Sequence, residues 1–196
     1  MAAAILVPIG ITFALIVVFM VLERALRTDA AAATLNPSED DRRTTRLVGA
    51  AFGASWFVLA LSVPANFLHL GRLEPGVPFN IIGLAMMAAG IIIRVLAART
   101  LGRFCSRTLF IREEHSVVSD GIYRRIRHPG YLGVLILFLG AGLSTSNWMA
   151  PAVIAIMIIP AYLRRMTVEE AMLAQALGGA YAQYMKKTRR LIPYIY

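Results

Sequence analysis

The sequence predicts an all-α integral membrane protein with about five transmembrane helices, the last two a helical hairpin, and a cytoplasmic C-terminal helix. Three observations predict it. Of the 196 residues, 58% are hydrophobic and only 16% charged, against roughly a quarter charged in a soluble domain. The apolar residues are gathered into long runs, giving a mean hydropathy of +0.66. The basic residues sit at the ends of these runs and not along one polar face. The net charge of +9 therefore reads as membrane topology, not as a nucleic-acid surface.

Taken in order, Ala3–Leu22 is a 20-residue run without a charge, enough at about 1.5 Å per residue to cross roughly 30 Å of hydrocarbon. It lacks the basic start of a cleaved signal peptide and Glu23-Arg24 follow it directly, so a retained helix is expected. Residues 23–46, with Pro37-Ser38-Glu39-Asp40-Asp41 at their centre, read as a polar loop. Leu47–Leu70 is the second span, broken late by Pro64, with Asn66 and His69 towards its far end and His69 read as an interfacial residue. Gly71–Pro78 is a short turn-rich connection. Phe79–Leu96 is the third span, and Arg94 lies close enough to its end to snorkel to the interface.

Arg99–His128 is the longest polar segment in the body of the chain. Leu132–Leu143 and Met149–Tyr162 are then two short apolar arms around Ser144-Thr145-Ser146-Asn147, with Pro151 and Pro160 marking bends or helix ends. Beyond residue 163 the chain is polar enough to leave the membrane. Thr167-Val-Glu-Glu170 has capping-box spacing, which would make Thr167 an N-cap with Glu170 reaching back. Leu173, Leu177, Tyr181 and Tyr184 recur at helical spacing on an amphipathic helix that would lie on the membrane face or the 99–128 loop, weakened or bent at Gly178-Gly179. Two units follow: residues 1–78, two N-terminal transmembrane helices and loops, and residues 79–196, a core with the cytoplasmic segments.

Charge tests this layout. Of 20 Lys and Arg, five lie in 23–46, seven in 99–128 and six after residue 163, while Arg72 alone falls on the opposite side. The positive-inside rule then places the N-terminus outside and the C-terminus in the cytoplasm.

The stretch most suggestive of chemistry is Gly121–Gly133, reading Gly-Ile-Tyr-Arg-Arg-Ile-Arg-His-Pro-Gly-Tyr-Leu-Gly. Proline suits the first turn of a helix, which puts His128 near the N-cap and leaves the amides of Gly130, Tyr131 and Leu132 free beside Arg127. A helix N-terminus among arginines can hold an anion; equally, Arg124, Arg125 and Arg127 can simply anchor a membrane helix. No dinucleotide, P-loop, nucleophile-elbow or zinc-protease motif occurs, three scattered histidines make no metal site, and the single Cys105 reads as a neutral packing residue. The cytoplasmic segments 99–133 and 164–193 remain. A pocket between them would have arginines and amides on one wall and carboxylates and tyrosines on the other, with lipid behind. Glu169 and Glu170 stand about 100° apart on a helix, so they cannot face one ligand in the same way. Glu113-Glu114 reads as a solvated face.

These residues carry a resemblance. Gly121–Gly133 resembles the R-H-P-x-Y motif of the isoprenylcysteine carboxyl methyltransferase family. Arg165-Met-Thr-Val-Glu169-Glu170-Ala-Met-Leu173 resembles its second motif, and Gly178 through Pro193 resembles its tail. The likeness covers about residues 80–196. It implies S-adenosylmethionine (SAM) as methyl donor, bound on the cytoplasmic side by His128, Pro129, Tyr131, Gly133, Glu169 and Glu170. Arg127 and Arg165, with Glu169, become the residues expected to act in the reaction, the arginines orienting an acceptor carboxylate. The acceptor so implied is a lipophilic small molecule or prenylated substrate reached through membrane lipid, with no metal and no nucleic acid. The family often has a tryptophan before the serine where this chain has Phe104-Cys105-Ser106, so the adenine contacts stay open. NADPH-dependent sterol reductases resemble the same half of the chain, and a phospholipid N-methyltransferase is a closer variant, with the same cofactor and a different acceptor. Glu169-Glu170-x-x-Leu173 follows the methyltransferase pattern. A non-catalytic membrane scaffold would bind no cofactor at all.

Overall fold

Five helices make up the computed structural model, which describes residues 2–26, 39–102 and 117–192. They are α1 (Ala2–Leu26), α2 (Glu39–Phe67), α3 (Gly76–Leu101), α4 (Pro129–Ser144) and α5 (Met149–Lys187), with a 3-10 turn at Gly121–Arg124 before α4. Four of them, 6–26, 39–67, 76–101 and 149–187, are long and apolar enough to cross a membrane. At 16 residues, or about 24 Å, α4 is shorter than an independent span needs. The chain is a multi-pass integral membrane protein.

Several sequence boundaries move. The second span starts eight residues early, because Glu39, Asp40 and Asp41 form the acidic first turn of α2 and do not lie in a loop. Acidic side chains complement the exposed amides of a helix start. Pro64 does not end α2, which continues to Phe67. α1 and α3 likewise run past Leu22 and Leu96. Arg94 does not snorkel outwards. It turns onto Glu23 of α1, with Nε 2.8 Å from Oε2 and a second bond from Nη2 to Oε1. The segment expected to leave the membrane as a separate helix is continuous with the last span. α5 has 39 residues, about 58 Å, roughly twice the hydrocarbon thickness. Its apolar half, to about residue 163, is the part that fits within the bilayer. Gly178 (φ 53°, ψ −128°) interrupts it where Gly178-Gly179 predicts a bend. Cys105, Glu113-Glu114 and the Phe104-Cys105-Ser106 stretch lie outside the described residues.

α3 and α4 approach backbone to backbone, and the glycines explain how. A Cβ on Gly83 would lie 2.6 Å from the Gly140 carbonyl, and one on Gly90 would lie 2.5 Å from that of Gly133. These two antiparallel contacts, seven residues apart on each helix, leave no room for any side chain. The fully buried Ile16, Leu59, Met87, Leu137, Ile154, Ile158 and Met166 fill the centre. Outward-facing apolar residues such as Phe57 (66% exposed) and Ile156 (73% exposed) suit a lipid environment, where no hydrophobic force drives them inward.

The five helices run between two polar ends. At one end, Asn66 Nδ2 donates to the Thr145 carbonyl (2.5 Å), and Asn80 Nδ2 to the Ser144 carbonyl (2.5 Å). Asn147 Nδ2 bonds Asn66 Oδ1 (2.9 Å) and the Leu70 carbonyl (2.8 Å). The α4–α5 turn is thereby tied to α2 and α3. The other end holds Glu23, Asp41, Arg94, the start of α4 and residues 165–170 of α5.

Candidate functional site

The second end is assembled from the Arg-rich stretch upward. Gly121 adopts a positive φ of 55°, which glycine allows without strain, and the 3-10 turn that follows buries Tyr123. The chain then runs extended beside the C-terminal tail. Arg127 N donates to the Arg189 carbonyl (2.7 Å), Arg189 N to that of Arg125 (3.0 Å), and His128 N to that of Arg190 (3.0 Å). Tyr184 adds a hydroxyl bond to the Tyr123 carbonyl (2.8 Å), as the helical spacing of Tyr181 and Tyr184 leads one to expect for a helix lying on this segment. Pro129 is at the first position of α4 with His128 as N-cap, as predicted. One expected free amide is taken: Leu132 N donates to the His128 carbonyl at 3.2 Å. The amides of Gly130 and Tyr131 stand in the first turn, where the helix offers no acceptor.

Glu170 is the hub of this end. Its Oε1 accepts from Arg127 Nε (2.8 Å) and lies 3.2 Å from His128 Nε2. Its Oε2 accepts from Arg190 Nε (2.9 Å) and Nη2 (2.6 Å). Capping-box spacing therefore misleads here. Thr167 is mid-helix, donating its hydroxyl to the Leu163 carbonyl at 3.0 Å, and Glu170 never reaches back. Glu170 lies past the bilayer-length part of α5. Burial would raise its carboxyl, but the hydrogen bonds from His128, Arg190 and Arg127 outweigh that and hold it at about 2, so it is ionised at neutral pH. Arg127 does more than pair. Its Nη1 donates to the carbonyls of Thr188 (2.5 Å) and Met185 (3.1 Å), closing the end of α5.

Glu169 faces elsewhere, as the 100° offset requires. Its Oε2 accepts from the Tyr131 hydroxyl at 2.7 Å, and its side chain is 25% exposed. The Tyr131 ring stacks obliquely on Tyr162 at 4.7 Å and on buried His128 at 5.5 Å. Arg165, 4% exposed, has its Nη1 on Asp41 Oδ1 (2.5 Å) and on the hydroxyls of Thr44 and Thr45 (both 2.9 Å), and it also faces Tyr131.

His128, Pro129, Tyr131, Glu169, Glu170, Arg127 and Arg165 are thus brought to one end. Gly133 has a different surrounding: its open face is filled by α3, with a Cβ position 2.8 Å from both Arg94 N and the Gly90 carbonyl. Sequence reasoning missed Asp41 and Arg190. Asp41 falls in the stretch that reads as a polar loop, although an acidic run before an apolar one is a helix-start signal. Arg190 had no local signal, because its partner is twenty residues away. Among the described residues no three His, Cys, Asp or Glu side chains are grouped to hold a metal.

Residues 79–180 match the family model described as phospholipid methyltransferase. A probable protein-S-isoprenylcysteine O-methyltransferase of Oryza sativa subsp. indica is 32% identical over 116 residues, 58% of this chain and 61% of that protein. The protein-S-isoprenylcysteine O-methyltransferase of Schizosaccharomyces pombe is 36% identical over 83 residues, 42% of this chain and 35% of that one. The match spans less than two thirds of the length of each of these relatives. A solved eukaryotic intramembrane Ras methyltransferase, an isoprenylcysteine carboxyl methyltransferase, superimposes with a TM-score of 0.58 at 23% identity, covering 75% of this chain and 52% of that one. That likeness is one of fold. The matched residues include the whole of α4, Arg165, Glu169 and Glu170, and the chain belongs to the phospholipid methyltransferase family.

Proposed function

We propose that this protein is a SAM-dependent membrane methyltransferase acting on the carboxylate of an isoprenylcysteine-like or other lipophilic acceptor. The observation that carries the reading is the convergence of His128, Tyr131, Glu169 and Glu170 within the segment that belongs to the family. The donor set fits SAM, which bears a cationic sulfonium and both charges of an amino acid. Glu169 is partly exposed, and among the described residues only one of its two oxygens takes a hydrogen bond. It is therefore the carboxylate available to a cation. The first-turn amides of Gly130 and Tyr131 and the partly exposed Arg190 suit the anionic group. Pro129 sets the direction of that turn. Glu170 holds these parts together through three basic partners, and Gly133 supports them by seating α4 on α3.

SAM supplies an electrophilic methyl group on sulfur. An acceptor carboxylate is already ionised, so the chain's task is to orient it and exclude water, and no general base is required. Arg127 and Arg165 are the cations beside the site, Arg127 held by Glu170, Thr188 and Met185 and Arg165 held on one side by Asp41, Thr44 and Thr45 and facing Tyr131 on the other. The family description favours a second reading, a phospholipid amine as acceptor. An amine must lose a proton, and Glu169 is then the nearest base, since Glu170 is covered by cations.

The purified protein in detergent, given SAM labelled in its methyl group, separates these readings. The expected result is label in a prenylcysteine acid, recovered as a base-labile ester, and none in phosphatidylethanolamine. Label in the amine alone would favour the second reading. Label in neither, with NADPH binding in place of SAM, would favour a reductase and sink both.

We also infer five crossings, with α4 and the first half of α5 as the hairpin and the site end cytoplasmic. The distribution of lysine and arginine and the alternation of the five helices between two ends support this. A reporter after Tyr196 is then cytoplasmic and one in 71–78 external; the same side for both contradicts it.

A further inference from the structure

We infer that Asp41, on the N-terminal turn of α2, is a positioning residue of the proposed site that fixes the guanidinium of Arg165 towards Tyr131 and Glu169. The inference rests on the reading of this end as a methyl-transfer site. It concerns a helix outside residues 79–180, the part matched by the family.

The geometry is specific. Arg165 Nη1 meets four acceptors from one helical turn: Asp41 Oδ1 (2.5 Å), the Asp41 carbonyl (3.1 Å), and the Thr44 and Thr45 hydroxyls (both 2.9 Å). Thr44 donates its own proton back to the carbonyls of Asp40 (3.0 Å) and Asp41 (3.1 Å), which leaves its lone pairs to the arginine. The Asp41 side chain is 1% exposed and that of Arg165 5% exposed, so neither contact is exchanged with water. A guanidinium is planar, and gripping one terminal nitrogen fixes the direction of the others. On the far side of Arg165 stands Tyr131, whose hydroxyl donates to Glu169 at 2.7 Å. A polar line therefore runs Asp41–Arg165–Tyr131–Glu169, from α2 through α5 to α4 and back to α5. A carboxylate whose only task was to neutralise Arg165 would need none of the hydroxyls. The cradle specifies an orientation.

The test uses the full chain in detergent and the binding of N-acetyl-S-farnesylcysteine and its methyl ester in the absence of SAM, together with turnover. The ester lacks the charge that Arg165 would meet. Wild type should prefer the acid. Asp41→Ala should lose that preference and lower kcat by as much as about 100-fold, the scale of a small misplacement at a reacting centre. Asp41→Asn keeps Oδ1 and should restore most of both. In an Arg165→Ala background, Asp41→Ala should add nothing, since its effect passes through the arginine. Should Asp41→Ala fail to fold, Thr44→Val with Thr45→Val removes two of the four acceptors and should weaken the acid preference on its own. Wild-type preference in that variant, or equal losses in Asp41→Ala and Asp41→Asn, overturns the inference. A wild-type protein that does not distinguish acid from ester overturns the proposed acceptor as well, and so separates the two failures.

Discussion

The two ends of this protein are both polar and both buried, and they are built from opposite chemistry. The end around Asn66, Asn80, Ser144 and Asn147 uses neutral amides and hydroxyls, each bonded to a backbone carbonyl or to another amide or hydroxyl. The end around Glu170 uses carboxylates, guanidinium groups and an imidazole. Neutral groups can close a turn with little electrostatic penalty. Buried charges carry a large desolvation penalty, and breaking a buried pair is far more damaging than never having made it. A chain that already ties its helix ends with neutral groups at one end does not need ions for that purpose at the other. The charged end is where the fold retains the costly groups.

The largest expected effect that follows is at the hub. Glu170→Gln leaves Arg127, Arg190 and His128 without their shared anion, and loss of one partner from such a buried cluster is worth about 3–5 kcal/mol. Thermal unfolding in detergent should show a pronounced drop, and SAM binding should be lost with it. Wild-type stability would mean that the cluster is solvated and the contrast between the ends is false.

Next comes Arg127→Lys. A lysine keeps the charge but cannot bond Glu170 and the Thr188 and Met185 carbonyls together, as Arg127 does through Nε and Nη1. Losing a charge-assisted bond is worth about 1.5–3 kcal/mol. SAM affinity and turnover should fall together, because Glu170 and the end of α5 move together. A fall in turnover alone would instead place Arg127 on the acceptor, and wild-type values on both measures would make it only a topological anchor.

Asn147→Ala tests the other end. Asn147 donates to Asn66 and Leu70, and its Oδ1 accepts from Met149 N at 2.9 Å; each buried partner left unsatisfied costs about 1–3 kcal/mol. Stability should fall while SAM affinity is unchanged. A change in affinity would show the ends to be coupled.

How far the sequence foretells this division depends on the range of the interaction. His128 and Pro129 at the start of α4 were legible because capping is local, as was the bend at Gly178. The apolar spans were legible because length and hydropathy suffice. Asp41 and Arg190 were not legible, because their partners Arg165 and Glu170 are 124 and 20 residues away, and no periodicity encodes such pairs. Thr167 and Glu170 show the opposite error. Their spacing fits a local motif, but α5 continues through it and tertiary partners claim the glutamate. Arg94 fails for the same reason: a snorkelling arginine and one paired with Glu23 look alike until α1 is placed beside α3.

The most direct test of the account is a calorimetric titration of SAM into wild type, Glu169→Gln and Asn147→Ala in the same detergent. Glu169→Gln keeps the shape and removes one charge, so affinity should fall by about 10- to 150-fold, equivalent to about 1.5–3 kcal/mol, while Asn147→Ala binds as wild type does. SAM binding that is equal in Glu169→Gln and wild type, or a wild-type protein that binds NADPH and ignores SAM, would contradict the assignment of the charged end as the cofactor site.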